Sequence, residues 1–331
     1  MVQPQLKHIA EYYINGILQK DRVILSKAIT LIESTKKEDE TIVSEILEAC
    51  LKTKKTSNRI AISGAPGVGK STFINAFGKL LLDDNKSLAV LAIDPSSTIS
   101  KGSILGDKTR MEDLMNDENC FIRPTASNNN LGGVARATRE TILLCEAFGF
   151  DYIFVETVGV GQSETLVKNM TDLFVLLLLP NSGDELQGIK RGIMEMADII
   201  LINKSDAENK VAAKIAATQV KNAIHLYAAN EKDWIAQVLN ISSIEKIGFE
   251  KLKNIIDSYF LKLETTGFVH NNRNQQGLFW FEETILQELQ QLFSKDTSIQ
   301  SVKISLQEKI KNNEITAVNA AKFLVRKFLD K

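Results

Sequence analysis

Apolar residues recur at helical spacing from Lys7 to about Leu51, first at Ile14, Ile17 and Leu18, then at Val23, Ile24, Ile29, Leu31 and Ile32. This predicts two or three amphipathic helices. The charged run Lys36-Lys37-Glu38-Asp39-Glu40 reads as a solvated connection, and Lys52 to Asn58 as a polar linker. The pattern then changes. Arg59 to Ser63, Leu88 to Ile93, Asp151 to Glu156, Leu173 to Leu179 and Ala197 to Ile202 are short apolar runs of the kind that form strands covered on both faces. A periodic helix opens at Ser71, and beyond Gly267 the chain is helical again. There Leu278, Phe281, Ile285, Leu289 and Phe293 make a stripe at successive turns, and a final helix is expected from Glu314 to Leu329. The stripe reads as a dimer interface, with packing inside the chain as the alternative. These patterns predict an N-terminal helical extension (1–56), an α/β domain with a central, mostly parallel sheet flanked by helices (57–264) and a C-terminal helical dimerisation region (265–331).

The loop between the first strand and the helix at Ser71 carries candidate chemistry. Gly64-Ala65-Pro66-Gly67-Val68-Gly69-Lys70-Ser71 fits G-x-x-x-x-G-K-[ST] in full and lies in the order strand, glycine loop, helix, so it is read as a P-loop and the domain as a P-loop NTPase. A phosphate chain must be met by backbone N–H groups that no side chain obstructs, and glycines allow that approach. The helix N-terminus adds unpaired N–H groups and the positive end of its dipole. Lys70 would bridge the β- and γ-phosphates and the Ser71 hydroxyl would hold Mg²⁺, with Gly64 to Thr72 forming the nucleotide cradle.

Further candidates follow at strand ends. Asp94 closes the run from Leu88, and the carboxyl end of a parallel strand faces the ligand crevice. The polar stretch that follows, with Leu105-Gly106-Asp107-Lys108 and Ser127-Asn128-Asn129-Asn130, reads as a switch loop, and Asp107 as a second carboxylate for Mg²⁺ or phosphate. Glu156-Thr157-Val158-Gly159 resembles the D-x-x-G switch of GTPases with Glu for Asp; Glu156 would serve Mg²⁺ and the Gly159 N–H would sense the γ-phosphate. Asn203-Lys204-Ser205-Asp206 is an N-K-x-D signature. The Asp206 carboxylate can accept from N1–H and the exocyclic amine of guanine, donors that adenine does not offer there. Ser242, Ser243 and Ile244 would form the loop on the far side of the base.

Composition narrows the choice. The 331 residues are 44% hydrophobic and 24% charged, with a formal net charge of −1, so no broad attraction to nucleic acid or to an anionic membrane is expected. Three cysteines and three histidines are scattered without ligand spacing, which argues against a zinc site or a disulfide framework. With no signal-peptide pattern and no apolar run long enough to span a bilayer, a soluble, cytoplasmic protein is expected.

Taken with Ala92 to Ser97, Gly102 to Met111, Phe121 to Pro124, Leu131 to Arg136, Val155 to Glu164 and Gly183 to Lys190, the chain resembles the MeaB/ArgK family, which includes the mitochondrial MMAA protein. The resemblance implies a homodimeric, Mg²⁺-dependent GTPase that gates cofactor loading and protects or reactivates an adenosylcobalamin-dependent acyl-CoA mutase, chiefly methylmalonyl-CoA mutase. It carries Lys70, Ser71, Asp94, Asp107 and Glu156 to the phosphate and magnesium site, and Asn203, Lys204 and Asp206 to the base. Asn181 to Met196 would be an additional switch, with Gln187 and Lys190 as its contacts to the client. Residue 160 is Val where many signalling GTPases have a water-orienting Gln, so slow hydrolysis that a partner accelerates is expected. The rival readings are a metallochaperone GTPase, disfavoured by the scarce His and Cys, a P-loop kinase or transport ATPase, disfavoured by N-K-x-D, and a scaffold with a vestigial site.

Overall fold

The short apolar runs become strands because each is covered on both faces. The computed structural model describes residues 4–34, 36–94, 111–126, 131–157, 163–180, 191–224 and 233–330. They divide into two units, Met1–Arg273 and Asn274–Lys331. Among the described residues of the first unit, seven strands form one sheet: β1 (Asn58–Gly64), β2 (Leu88–Asp94), β3 (Cys120–Ala126), β4 (Tyr152–Glu156), β5 (Leu173–Leu178), β6 (Ile199–Ile202) and β7 (Gln237–Asn240). Their order is β3-β2-β4-β1-β5-β6-β7 and every pairing is parallel. Ile60 lies opposite Phe154, and Ile62 opposite Val175. Strand β1 lies between β4 and β5, so the chain leaves it toward β2 on one side and later crosses to β5 on the other. Such a reversal opens a crevice at the carboxyl ends of the strands.

One face of the sheet is covered by α4 (Lys70–Asp83) and α10 (Phe249–Thr265). Phe73 and Phe77 of α4 stack at 5.6 Å, and Phe249 meets them edge-on at 5.8 and 5.9 Å. On the other face Ala61, Leu91, Ile153, Val155, Phe174 and Leu176 are buried. Helix α6 (Leu131–Phe148) contacts β2 and β3. Helices α1 (Pro4–Leu18), α2 (Arg22–Ile32) and α3 (Lys37–Leu51) pack on one another and on α6, within the same unit as the sheet. Asp21 caps α2 by accepting from Val23 N at 2.8 Å and Ile24 N at 3.1 Å. The acidic residues expected in a solvated connection instead form the first turn of α3, where Glu38, Asp39 and Glu40 complement the helix dipole.

Shorter elements complete this unit: α5 (Glu112–Met115), α7 (Ser163–Lys168), α8 (Arg191–Met196) and α9 (Lys210–Ile224). Away from the crevice, at the amino ends of β1 and β5, Arg59, Glu146, Asp172 and Arg273 form a buried charge network. Arg59 holds both Glu146 oxygens at 2.8 and 2.6 Å, and Arg273 holds both Asp172 oxygens at 2.9 and 2.6 Å. A further bond at 3.2 Å joins Arg273 to Glu146.

The unit boundary falls inside α11 (Phe268–Lys295). In the second unit α12 (Thr297–Lys311) and α13 (Ala317–Leu329) enclose a small core of Ile299, Leu306, Ala320 and Leu324. Asp296 caps α12 through Ser298 N and Ile299 N, and Thr316 caps α13 through Asn319 N. Of the stripe read from the sequence, Phe293 packs on Phe328 at 5.3 Å, whereas Leu278, Phe281, Ile285 and Leu289 are exposed. No described helix is long and apolar enough to cross a membrane.

Candidate functional site

Strand β1 ends in Gly64, and α4 begins at Lys70, so the glycine loop spans the carboxyl edge of the central strand. Two of its glycines answer steric demands. Gly64 has φ +150°, and a Cβ there would lie 2.6 Å from Leu177 O; Gly69 has φ +96°, and its Cβ would lie 2.8 Å from Asn203 Nδ2. Gly69 caps α4, whose first turn directs its N–H groups into the loop. The Lys70 ammonium donates to Gly64 O at 2.8 Å and Ala65 O at 3.3 Å. Burial pushes Lys70 below the usual lysine range, while the carboxylates of Glu156 and Glu164 pull it back.

Strand β4 brings Glu156 beside this loop. Ser71 Oγ donates to Glu156 Oε1 at 3.1 Å, so the hydroxyl and carboxylate that the sequence assigns to magnesium meet at the start of α4. Both are oxygen donors of the hard type that Mg²⁺ prefers. Thr157 Oγ1 donates to Ser63 Oγ at 3.0 Å, and Thr157 N to Ile62 O at 3.0 Å, which locks the end of β4 against the end of β1. Asp94 closes β2 on the same edge of the sheet, but its side chain is outside the described set. Asp107, Gly159, Gln187 and Lys190 also lie outside the described residues.

The N-K-x-D segment leaves β6 on the same edge. Buried Asn203 donates through Nδ2 to Val68 O at 2.9 Å and accepts at Oδ1 from Ser243 N at 3.2 Å and Ser243 Oγ at 2.8 Å. Asn203 therefore braces the glycine loop against the segment after β7. Lys204, at φ +56°, donates from Nζ to Gly67 O at 3.0 Å. Ser242 Oγ donates to Asp206 Oδ2 at 2.8 Å, which orients the carboxylate while leaving it other lone pairs. Ile244 is 77% exposed on the same loop. Lys70, Ser71, Glu156, Asn203, Lys204 and Ser243 are thus joined around the glycine loop by the bonds above, and Ser242 is joined to Asp206. Glu164, fully buried in the first turn of α7, was assigned no role from the sequence. Its only local signal is an acid at the start of a helix just after the switch glycine.

A family model described as methylmalonyl Co-A mutase-associated GTPase MeaB matches residues 25–298. The chain belongs to the MeaB family. Among its relatives, the GTPase ArgK of Escherichia coli is 42% identical over 284 residues, covering 86% of each chain. The mitochondrial methylmalonic aciduria type A homolog of Mus musculus is 38% identical over 323 residues, 95% of this chain and 78% of that one. A crystal structure of an LAO/AO transport system kinase matches over 100% of both chains, with TM-score 0.78 and 32% identity. The seven-stranded parallel sheet is thus a P-loop NTPase fold in its MeaB form, as the glycine motif and strand pattern imply.

Proposed function

We propose that this MeaB-family chain binds GTP with Mg²⁺, hydrolyses it to GDP and phosphate, and uses the difference between the two states to gate an adenosylcobalamin-dependent acyl-CoA mutase, chiefly methylmalonyl-CoA mutase. One observation carries the nucleotide part: Asn203 and Lys204, at the end of β6, bond to Val68 O and Gly67 O of the glycine loop at 2.9 and 3.0 Å. A purine selector wired directly to a phosphate cradle is arranged for one nucleotide. The Asp206 carboxylate, steadied by Ser242, reads guanine by accepting two hydrogen bonds, and a charged acceptor left without them disfavours ATP.

Lys70 meets the phosphates, and the loop N–H groups carry the rest of their charge. Ser71 and Glu156, with Asp94 and Asp107, would hold Mg²⁺, which would neutralise charge developing on the phosphate oxygens. The Gly159 N–H senses the γ-phosphate, and Gln187 and Lys190 pass its presence to the client. Differential affinity of the mutase for the two states is what converts hydrolysis into gating. The family description and the mouse relative's name support the mutase as partner. The region 265–331 serves as the dimerisation region, a reading supported by the exposed Leu278, Phe281 and Leu289.

Competition binding tests the nucleotide part: GTP and GDP displace a labelled guanine nucleotide, and ATP does not. Asp206→Asn weakens GTP at least about tenfold, since hydrogen bonds to a charged group contribute about 1.5–3 kcal/mol each, and it favours xanthosine triphosphate, whose added carbonyl accepts from the new amide. Equal affinity for ATP would overturn the reading. For the partner, co-purification with methylmalonyl-CoA mutase should differ between GDP and a non-hydrolysable GTP analogue. Identical capture in both states would remove the gating role.

A further inference from the structure

Glu156 and Thr157 are neighbours in the chain whose side chains lie on opposite faces of the sheet. Ile62 lies opposite Glu156 in the pairing of β1 with β4, and Ile60 and Ile62 belong to the core under α4. Glu156 therefore reaches toward α4, where its Oε1 accepts from Ser71 Oγ at 3.1 Å. Thr157 continues the other face after Ile153 and Val155, and Ser63 continues it after Ala61. There Thr157 Oγ1 donates to Ser63 Oγ at 3.0 Å, and both side chains are fully buried. Ser63 in turn lies opposite Leu176 of β5. Two hydroxyls thus stand on a face that Ala61, Val155 and Leu176 otherwise line with aliphatic groups. A bonded pair of buried hydroxyls is nearly matched in stability by apolar groups of the same shape, so packing does not account for them.

We infer that Thr157 and Ser63 are positioning residues of the magnesium site: their bond pins the end of β4 from behind and fixes the direction in which Glu156 presents its carboxylate beside Ser71. This rests on the reading above that Ser71 and Glu156 hold Mg²⁺. Strand β4 ends at Glu156, and Thr157 N donates to Ile62 O at 3.0 Å. The backbone bond to Ile62 and the hydroxyl bond to Ser63 attach Thr157 to two successive residues of β1. A single attachment leaves the strand end free to turn about it; the second removes that freedom.

The experiment titrates Mg²⁺ onto the full chain loaded with a fluorescent, non-hydrolysable GTP analogue, with single-turnover GTP hydrolysis and urea denaturation measured alongside. Thr157→Val keeps the shape and removes the hydroxyl. It should weaken Mg²⁺ at least about fivefold, below the roughly 10–100-fold that losing a direct partner of a metal ligand costs, and slow hydrolysis by a similar factor. Affinity for GDP in EDTA should stay within about twofold of wild type, and Thr157→Ser, which keeps the hydroxyl, should restore Mg²⁺ binding. Ser63→Ala combined with Thr157→Val removes both hydroxyls; the urea midpoint should return toward wild type while Mg²⁺ stays weak, which separates positioning from stability. If the single variant does not fold, this double variant carries the same expectation. In a Glu156→Gln background the valine should change Mg²⁺ affinity less than about twofold, because the carboxylate it positions is gone. Normal Mg²⁺ affinity in a folded variant without the bond overturns the inference, as does a full further loss in the Glu156→Gln background. If the wild type binds the analogue equally with and without Mg²⁺, the magnesium reading itself fails and the inference with it.

Discussion

Arg273 offers the sharpest test of the packing. Its guanidinium spans both oxygens of Asp172 at 2.9 and 2.6 Å, Glu146 Oε1 at 3.2 Å and Ser57 O at 2.6 Å. The side chains of Asp172 and Glu146 are 1% and 4% exposed, so water cannot replace the lost partner. Arg273→Met leaves Glu146 its bonds to Arg59 but strips Asp172 of the guanidinium. Breaking a buried pair in this way costs about 3–5 kcal/mol, most of it from removing the countercharge of Asp172, which keeps the Arg59 N–H at 3.2 Å. Asp172→Asn in the same chain should therefore restore part of the loss, because the amide no longer needs one.

Urea denaturation of the three proteins measures both numbers from the midpoints and slopes. Nucleotide affinity below the transition should change less than about twofold. The network lies at the amino end of β1, and the seven residues Asn58–Gly64 put the glycine loop about 20 Å away at about 3.3 Å per residue. A cost under about 1 kcal/mol, or a double variant no more stable than Arg273→Met, would refute the argument that an uncompensated charge dominates.

Two further outcomes follow from local geometry. Gly69→Ala forces a side chain into a left-handed position with its Cβ 2.8 Å from Asn203 Nδ2; it should destabilise the fold by about 1–3 kcal/mol and weaken GTP binding at least about tenfold, and calorimetry on the variant reads both. Burial pushes the Cys50 thiol up to about 11 and Cys120 up to about 12, and it raises Cys145 as well. A thiol at about 11 is about one-thousandth thiolate at pH 8, so a disulfide reagent should leave all three cysteines unlabelled in the native chain and modify all three in urea; rapid labelling of the folded protein would contradict the burial.

Much of the site was legible because its motifs are local. The glycine loop, the acid at the end of β4 and the N-K-x-D segment each carry their chemistry within a few consecutive residues. Less was legible between Cys120 and Phe148. Strand β3 contains Arg123 and Pro124, which mask its apolar character; Arg123 is tolerated because Glu33, the C-cap of α2, meets it at 2.6 Å, a partner ninety residues away. Helix α6 was not read from the pattern; its described side chains, from Val134 to Phe148, are buried or half-buried, charged ones among them. Strand β7, short and on the sheet edge, was not read as a strand; only the loop after it, Ser242 to Ile244, was.

Asn203 shows what motif reading leaves out. Its place in N-K-x-D assigned it to the base, and the structure adds a bond from its Nδ2 to Val68 O and two to its Oδ1 from Ser243. By itself the sequence determined which chemistries the chain carries, because backbone conformation around glycine, charge and donor type are properties of neighbouring residues. Only the tertiary structure decided which of them act together: the strand order places β1 between β4 and β5 with β6 alongside, and parallel pairing turns all their carboxyl ends the same way. Such pairing depends on contacts between residues far apart along the chain, which no local pattern records.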